Sequence, residues 1–396
     1  MVDRARMKQI YAVSDNIISS LGFSSQENVD ALISGETGIR IHDEDRLYNQ
    51  PLPLSMVSTG ELETRFRAVL DIRKKDKPAD FFTRLEKMLI LSVNDALNCV
   101  DLKLNDPQMI FILSTTKGNI DLLEERFKGR FDHKRVYLWA TARVLKDFFG
   151  FTNPPLIVSN ACVSGVLAII TASRLLRSGK YSTAIVTGGD IISEFVISGF
   201  RSFQALSPSA CKPFDQKRNG LSLGEGCGTL ILTSSLHYSA RQTVNVMGGS
   251  VTNDANHISG PSRTGLELSM AMDKALLESG LETGSIDYIS AHGTATVFND
   301  EMESKAINLS HLEEVPVNSY KGYWGHTLGA AGIIESVALV ASMKRNILFR
   351  SAGYDEEGVP EKINVIRETV SSPVDRCMKT ASGFGGCNTA LVFQKT

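Results

Sequence analysis

Short apolar runs alternate with longer amphipathic stretches along the whole chain, and this alternation restricts the fold more than any other feature. Residues 110–113, 156–158, 184–186, 228–232, 286–289 and 389–393 have the length and β-branched content of buried strands. Between them lie helical patterns. Residues 82–99 place Leu85, Met88, Leu89, Val93, Ala96 and Leu97 on one face, and similar spacing recurs over 161–178, 266–279, 302–309 and 332–345. Strand and helix in alternation predict an α/β protein with parallel strands in the sheet interior. No Pro/Ser-rich linker divides the chain.

A faint internal repeat refines this expectation. Gly224-Glu-Gly-Cys-Gly-Thr-Leu-Ile-Leu232 resembles Gly383-Phe-Gly-Gly-Cys-Asn-Thr-Ala-Leu-Val-Phe393, each a glycine turn feeding a β-rich run. A small-residue helix lies upstream of each, and the distances from Ser164 to Gly224 and from Gly329 to Gly383 are 60 and 54 residues. Two related α/β halves, 1–240 and 241–396, account for the repeat; chance similarity of glycine-rich turns is the alternative.

Composition excludes several classes. Hydrophobic residues are 42% and charged residues 22% of the 396, as in globular chains rather than disordered ones. Lys+Arg against Asp+Glu is 42 − 44 = −2, so no global basic field attracts nucleic acid. Cys99, Cys162, Cys211, Cys227, Cys377 and Cys387 contain no C-x-x-C pair, which argues against a zinc or redox site and for a reducing, cytoplasmic compartment. Residues 10–18 are interrupted by Ser14, Asp15 and Asn16 and have no signal-peptide core. Residues 156–170 contain Ser159, Asn160 and Ser164 and are too few to span a bilayer. The expectation is a soluble protein without membrane insertion.

Three segments could carry chemistry. Cys162 stands where an apolar run ends and a helix begins, in Leu156-Ile-Val-Ser-Asn-Ala-Cys-Val-Ser-Gly165. Unpaired N–H groups and the helix dipole there should lower its pKa and favour thiolate. An inert buried cysteine is the competing reading. His292 follows another apolar run in Ala291-His-Gly-Thr-Ala-Thr296, where a cleft could hold it in one tautomer. Asn299 or Asp300 could cap the next helix, with Glu303 completing a capping box. Lys321 and His326 share a segment with Gly322, Gly325, Gly329 and Gly332, a density that implies tight turns and close backbone approach. A cysteine that takes an acyl group, with two histidines donating to one developing oxyanion, suits thioester chemistry.

These segments resemble the β-ketoacyl-[acyl carrier protein] synthases, specifically the elongating condensing enzymes with a Cys-His-His triad on the thiolase fold. The resemblance begins at Tyr11-Ala-Val-Ser-Asp-Asn-Ile-Ile-Ser-Ser-Leu-Gly22. It runs through Asn160-Ala-Cys-Val-Ser-Gly165, Gly188-Gly-Asp190, Cys211-Lys-Pro-Phe-Asp215 and His292-Gly-Thr-Ala-Thr296, then Lys321 to Gly332 and Gly383-Phe-Gly-Gly-Cys-Asn388, and is weakest over about 40–140. It implies a layered α-β-α-β-α fold, with the nucleophile in the first half and both histidines in the second. It implies Cys162 as nucleophile, His292 and His326 completing the triad, Lys321 as the active-site lysine with Glu303 its supporting carboxylate, and Asp300 beside it. Phe384 and Gly385 match the gating loop, whose phenylalanine N–H joins that of the cysteine in an oxyanion hole. The family uses no metal and no prosthetic group.

The implied reaction is a decarboxylating condensation of acyl-Cys162 with malonyl-carrier protein, in fatty-acid, polyketide or polyene synthesis. The implied partners are an acyl carrier protein, for which Lys212, Lys217 and Arg218 are candidate contacts, and a second subunit paired through a sheet edge near 156–160. That subunit is expected to be another copy, with a heterodimer the alternative. Other readings are a non-catalytic subunit of a condensing heterodimer and a CoA-using thiolase-like enzyme, for which Cys387 would be the second thiol. Val297, Ser382, Cys387, Tyr323 and Trp324 depart from the family's usual residues. Ser382 replaces an aromatic residue and should leave free volume beside the gate, unless Tyr323 and Trp324 refill it.

Overall fold

The structure, a computed structural model, describes residues 8–43, 50–235, 243–256 and 259–396. Its main sheet is built from β1 (Tyr11–Ile18), β2 (Met109–Ser114), β3 (Leu156–Val158), β4 (Thr183–Asp190), β5 (Gly226–Thr233), β6 (Val244–Asn253), β7 (Tyr288–Ser290), β8 (Val317–Asn318), β9 (Arg376–Gly383) and β10 (Cys387–Lys395). The spatial order is β8-β7-β9-β10-β6-β1-β5-β4-β2-β3. Read from either outer edge to the seam, each set of five strands is wound identically: third, second, fourth, fifth, first. The sets meet where Tyr11 faces Asn245 and Ala12 faces Val244.

The repeat legible in two glycine turns is therefore a repeat of topology. The turns lead into β5 and β10, the last strand of each set. The boundary at residue 240 falls outside the described residues. The expectation of a parallel interior is corrected. Parallel pairing is confined to the flanks, β3-β2-β4 and β8-β7-β9. The six central strands pair antiparallel. Three of these strands carry no unbroken apolar run: β1 contains Ser14, Asp15 and Asn16, β6 contains Gly248 and Gly249, and β9 contains Lys379 and Thr380.

Helices complete the layers. Those that position the site are α1 (Arg84–Leu97), α2 (Ser164–Arg177), α3 (Glu194–Ser202), α4 (Leu266–Ser279), α5 (Val297–Leu309) and α6 (Ala331–Arg345). The Thr83 hydroxyl accepts from the Glu86 N–H while Glu86 reaches back to Thr83, a capping box that starts α1. α1 covers one half's strands and α4 the other's, with α2 and α6 sandwiched between. This is the thiolase-like arrangement the resemblance implies. α6 is buried all round, from Ala331 to Val340, as a central helix must be. Each of its Ile333, Ile334, Val337 and Leu339 side chains contributes about 1.5–3 kcal/mol on leaving water. The two inner helices touch at their backbones: a Cβ on Gly165 would lie 2.7 Å from the Ile333 nitrogen, and one on Gly332 would lie 2.4 Å from the Val166 nitrogen. Among the described residues, no helix is long and apolar enough to cross a membrane.

Candidate active site

The inner layer brings the loops after β3, β7 and β8 to one place. Cys162 lies in the turn from β3 to α2, where Ala161 takes the left-handed backbone, φ 42°. Ser164 braces that turn, accepting from the Asn160 N–H at 2.7 Å and donating to the Ala161 carbonyl at 2.6 Å. His292 follows β7. The carboxylate of Glu303 accepts from the N–H groups of His292 at 2.7 Å and Gly293 at 2.5 Å. Asp300 accepts from Thr294, Ala295 and Phe214 N–H groups. Both acids lie inside α5, which starts at Val297 after an N-cap at Thr296. The expected capping roles of Asn299 and Asp300 are thus replaced by a longer reach back onto the His292 loop. His326 follows a one-turn helix, Lys321–Trp324, and its N–H is held by the Ser222 carbonyl at 2.7 Å.

One sulfur atom and one nitrogen from each histidine lie within 4.8 Å of one another, and all three side chains are buried. The Lys321 ammonium sits 3.3 Å from His292 Nδ1, and the Leu328 N–H donates to His326 Nδ1 at 3.3 Å. An Nδ1 that accepts leaves the proton on Nε2. Burial, with Lys321 the nearest charge, pushes both imidazoles well below their usual range, so both are neutral near pH 7. His326 Nε2 has no partner among the described residues. The site therefore presents two neutral N–H donors beside one sulfur.

The thiolate expectation is overturned. Burial pushes the Cys162 thiol up to about 11, outweighing the Lys321 charge and the Phe384 N–H that reaches the sulfur. α2 begins two residues beyond the cysteine, so Cys162 precedes the helix's first turn. A thiol and two imidazoles could in principle ligate a cation, but that requires thiolate, and the adjacent ammonium repels it.

A further correction concerns the lysine. Its ion-pair partner is Glu335 of α6, at 2.7 Å, rather than Glu303. Glu335 also faces the Lys379 ammonium at 2.7 Å, and Lys379 donates to the Ser290, Ala291 and Thr380 carbonyls. The acid and both lysines are buried. Sequence reasoning missed Glu335 and Lys379. The available signal was a lone acid in an otherwise apolar helix and a lone lysine in a buried strand. Asp190 was noted only within a motif. It accepts from the Thr116, Lys117 and Gly329 N–H groups and ties the end of β2 to the His326 segment.

A cavity of about 310 Å³ opens onto Cys162, His292 and His326, with Thr294, Thr296 and Val297 along its mouth and Phe384 on its wall. Gly385 lies in the same loop at φ 88°. Ser382 lines the cavity too, but it is not simply a smaller residue, because its hydroxyl donates to Asn388 Oδ1 at 2.7 Å. Cys387 accepts from Asn160 Nδ2 at 3.2 Å. Tyr323 and Trp324 do not line the cavity; they bond to the Arg350 carbonyl and Asn28 in the core. Of the three candidate carrier contacts, Arg218 is buried against Asp215, Gly358 and Glu301, and Lys212 lies 3.6 Å from Asp355. Lys217 alone of the three is exposed.

Residues 7–237 match the model of the beta-ketoacyl synthase N-terminal domain, and residues 244–355 that of its C-terminal domain. A putative polyketide beta-ketoacyl synthase 1 from Streptomyces halstedii is 32% identical over 265 residues, covering 63% of each chain. A putative mitochondrial 3-oxoacyl-[acyl-carrier-protein] synthase from Schizosaccharomyces pombe is 32% identical over 285 residues, covering 66% of each, so these alignments span just under two thirds of their relatives' lengths. Among solved structures, the ketosynthase ApeO in complex with its chain length factor ApeC, from Xenorhabdus doucetiae, superposes with a TM-score of 0.84 at 25% identity over 100% of both chains. With the two domain models covering most of its length and the expected thiol and imidazoles gathered at one cavity, the chain belongs to the beta-ketoacyl synthase family.

Proposed function

We propose that the protein is a β-ketoacyl-[acyl carrier protein] synthase that carries its acyl group on Cys162. The observation that supports this best is the pair of neutral imidazole donors beside a buried thiol in one cavity. In the loading half-reaction, Cys162 Sγ bonds to the acyl carbonyl carbon and the bond to the carrier's pantetheine sulfur breaks. The thiol proton leaves with that sulfur. The Cys162 and Phe384 N–H groups hold the oxyanion. Malonyl-carrier protein then loses CO₂. The electron pair of the broken C–C bond becomes an enolate, whose oxygen takes hydrogen bonds from His292 and His326. Donors fixed where charge develops act on the transition state and not on the ground state. The enolate carbon bonds to the thioester carbonyl carbon, the C–S bond to Cys162 breaks, 3-oxoacyl-carrier protein leaves, and the released thiolate takes a proton from water. Neutral imidazoles suit this role because they stabilise charge without giving up a proton.

Lys321 keeps His292 in the Nε2–H tautomer, Glu335 holds Lys321 in place as its ion-pair partner, and Glu303 and Asp300 hold the loop. Two α/β halves, 1–240 and 241–396, share the work. The compartment in this reading is cytoplasmic, supported by six free cysteines. The partners are an acyl carrier protein and a second subunit. Support for the second subunit is β3, an edge strand whose Leu156 is 37% exposed, with Tyr137 and Trp139 exposed nearby. Soluble proteins cover such edges. A second copy of this chain is the expected occupant.

The test is intact-protein mass after incubation with acyl-carrier proteins. The parent should gain one acyl group and Cys162→Ala none, and malonyl-carrier protein should then yield CO₂ and 3-oxoacyl product. Acylation that persists in the variant, for instance on Cys387, would sink the assignment. A parent that never acylates would favour a non-catalytic subunit.

A further inference from the structure

The ring at the gate does not stand alone. Phe200 and Phe203 lie three residues apart at the end of α3, so they project from one helical face. Phe203 is the C-cap residue, and Gln204 turns the chain away with φ 53°. The two rings take the ring of Phe384 between them. Phe203 meets it edge-on, centroids 5.0 Å apart, and Phe200 lies 5.8 Å away on a tilt. Phe200 in turn packs edge-on against the His326 ring at 6.4 Å. All three phenylalanines and both histidines line the cavity that holds Cys162.

The loop bearing Phe384 is pinned at its ends and open in its middle. At one end, a Cβ on Gly383 would lie 3.2 Å from the Cys162 nitrogen. At the other, the Gly386 carbonyl accepts from the Asp254 N–H at 2.8 Å and from Asn388 Nδ2 at 3.1 Å. Between them, a Cβ on Gly385 would meet nothing within 4 Å. Rotation of the ring is thus limited less by its backbone than by the aromatic side chains that grip it. Of the two, Phe203 is the more exposed, at 50%, and it adds little to the core.

We propose that Phe203 is a latch on the acyl gate: its edge-on contact holds Phe384 over the thiol and sets the fraction of molecules that can accept a long acyl chain. The proposal rests on the reading of the protein as a ketosynthase. Phe203 is a positioning residue, because it acts through Phe384. An edge-to-face pair stabilises the closed arrangement enough that its loss raises a minor open population roughly two- to twelvefold.

The experiment measures single-turnover acylation of Cys162 by intact-protein mass. The donors are a carrier protein loaded with a long saturated acyl group and the same carrier loaded with acetyl. Phe203→Ala should load the long group roughly two- to twelvefold faster than the parent, with a smaller gain for acetyl. Phe203→Tyr keeps the ring and should return the parent rate. Iodoacetamide, small enough to reach the thiol past a closed ring, should alkylate Phe203→Ala at the parent rate. Phe384→Ala, which removes the gate itself, should load the long group fastest. Long-chain loading in Phe203→Ala at or below the parent rate, while Phe384→Ala is faster, overturns the latch and leaves the gate standing. Iodoacetamide rates that rise in step with loading also overturn it, since the thiol and not the gate would have changed. If Phe384→Ala loads no faster than the parent, the Phe384 ring is no gate and the latch falls with it, while the acylation of Cys162 stands.

Discussion

Replacing Glu335 by Gln removes one negative charge from between two buried ammonium groups. The carboxylate lies 2.7 Å from both Lys321 and Lys379, and none of the three side chains is more than 4% exposed. Breaking a buried pair costs about 3–5 kcal/mol, because the remaining charge is left without compensation. Here two are left, but Lys379 has an escape: it can release its proton. At pH 7 that release costs about 4.6 kcal/mol for a lysine with an ordinary pKa near 10.4, and at pH 9 about 1.9. The loss at Lys379 is therefore capped and shrinks as pH rises. The sign follows from linkage. Burial already depresses Lys379. Without Glu335 it falls further, so between that lowered value and the ordinary lysine pKa the unfolded chain binds more protons than the folded one. Stability of the variant then rises with pH across that window. Urea unfolding followed by tryptophan fluorescence reads this directly, since Trp324 is buried. The expected deficit against the parent is about 3–5 kcal/mol at pH 7, with about 2–3 kcal/mol regained at pH 9. A deficit below about 1 kcal/mol at pH 7, or one unchanged at pH 9, would refute the view that Glu335 neutralises two buried charges.

Other outcomes follow from the same geometry. Because burial holds the Cys162 thiol at about 11, its alkylation by iodoacetamide should climb about tenfold per pH unit from 8 to 10; a plateau near pH 7 would mean a thiolate at rest. His326→Ala should slow CO₂ release from malonyl-carrier protein by about 10²–10³ while Cys162 still acylates; release at the parent rate would make that histidine structural. Gly165→Ala inserts a methyl against the α6 backbone and should lower stability by about 1–3 kcal/mol in urea titration, and an unchanged midpoint would show that the helices can part. Ser382→Phe loses the bond to Asn388 and fills the wall beside the gate, so loading should shift towards shorter acyl groups; an unchanged chain-length profile would place specificity elsewhere.

The parts of this molecule that were legible are those where local chemistry and global fold agree. Cys162 and His292 each follow a short apolar strand, and the glycines around His326 mark turns where backbones approach. What was not legible depended on tertiary neighbours. Glu335 has the spacing of a polar residue on any amphipathic helix, and only the burial of α6 on every side makes it a counter-ion. Lys379 sits in a strand whose partners supply its carbonyls. The helix start beside Cys162 is visible in the sequence, but the depth of burial that raises its thiol is not. The antiparallel centre of the sheet is not legible because β1, β6 and β9 carry polar residues and glycines in place of a continuous apolar run.

The matched winding of the two halves has a consequence for how such a site can exist at all. Cys162 precedes α2 and His326 precedes α6, and these helices follow the third strand of their own five-strand sets. The nucleophile and one donor thus occupy corresponding loops, brought face to face by the pseudo-twofold relation between the halves. Two identical chains meeting in the same way would be bound by symmetry to present the same loop twice: two thiols or two imidazoles, never one of each. Joining the halves in one polypeptide lifts that obligation. The thiol can sit on one side of the axis and its hydrogen-bond donors on the other, with the glycine crossing of α2 and α6 holding the separation between unlike groups at backbone contact distance.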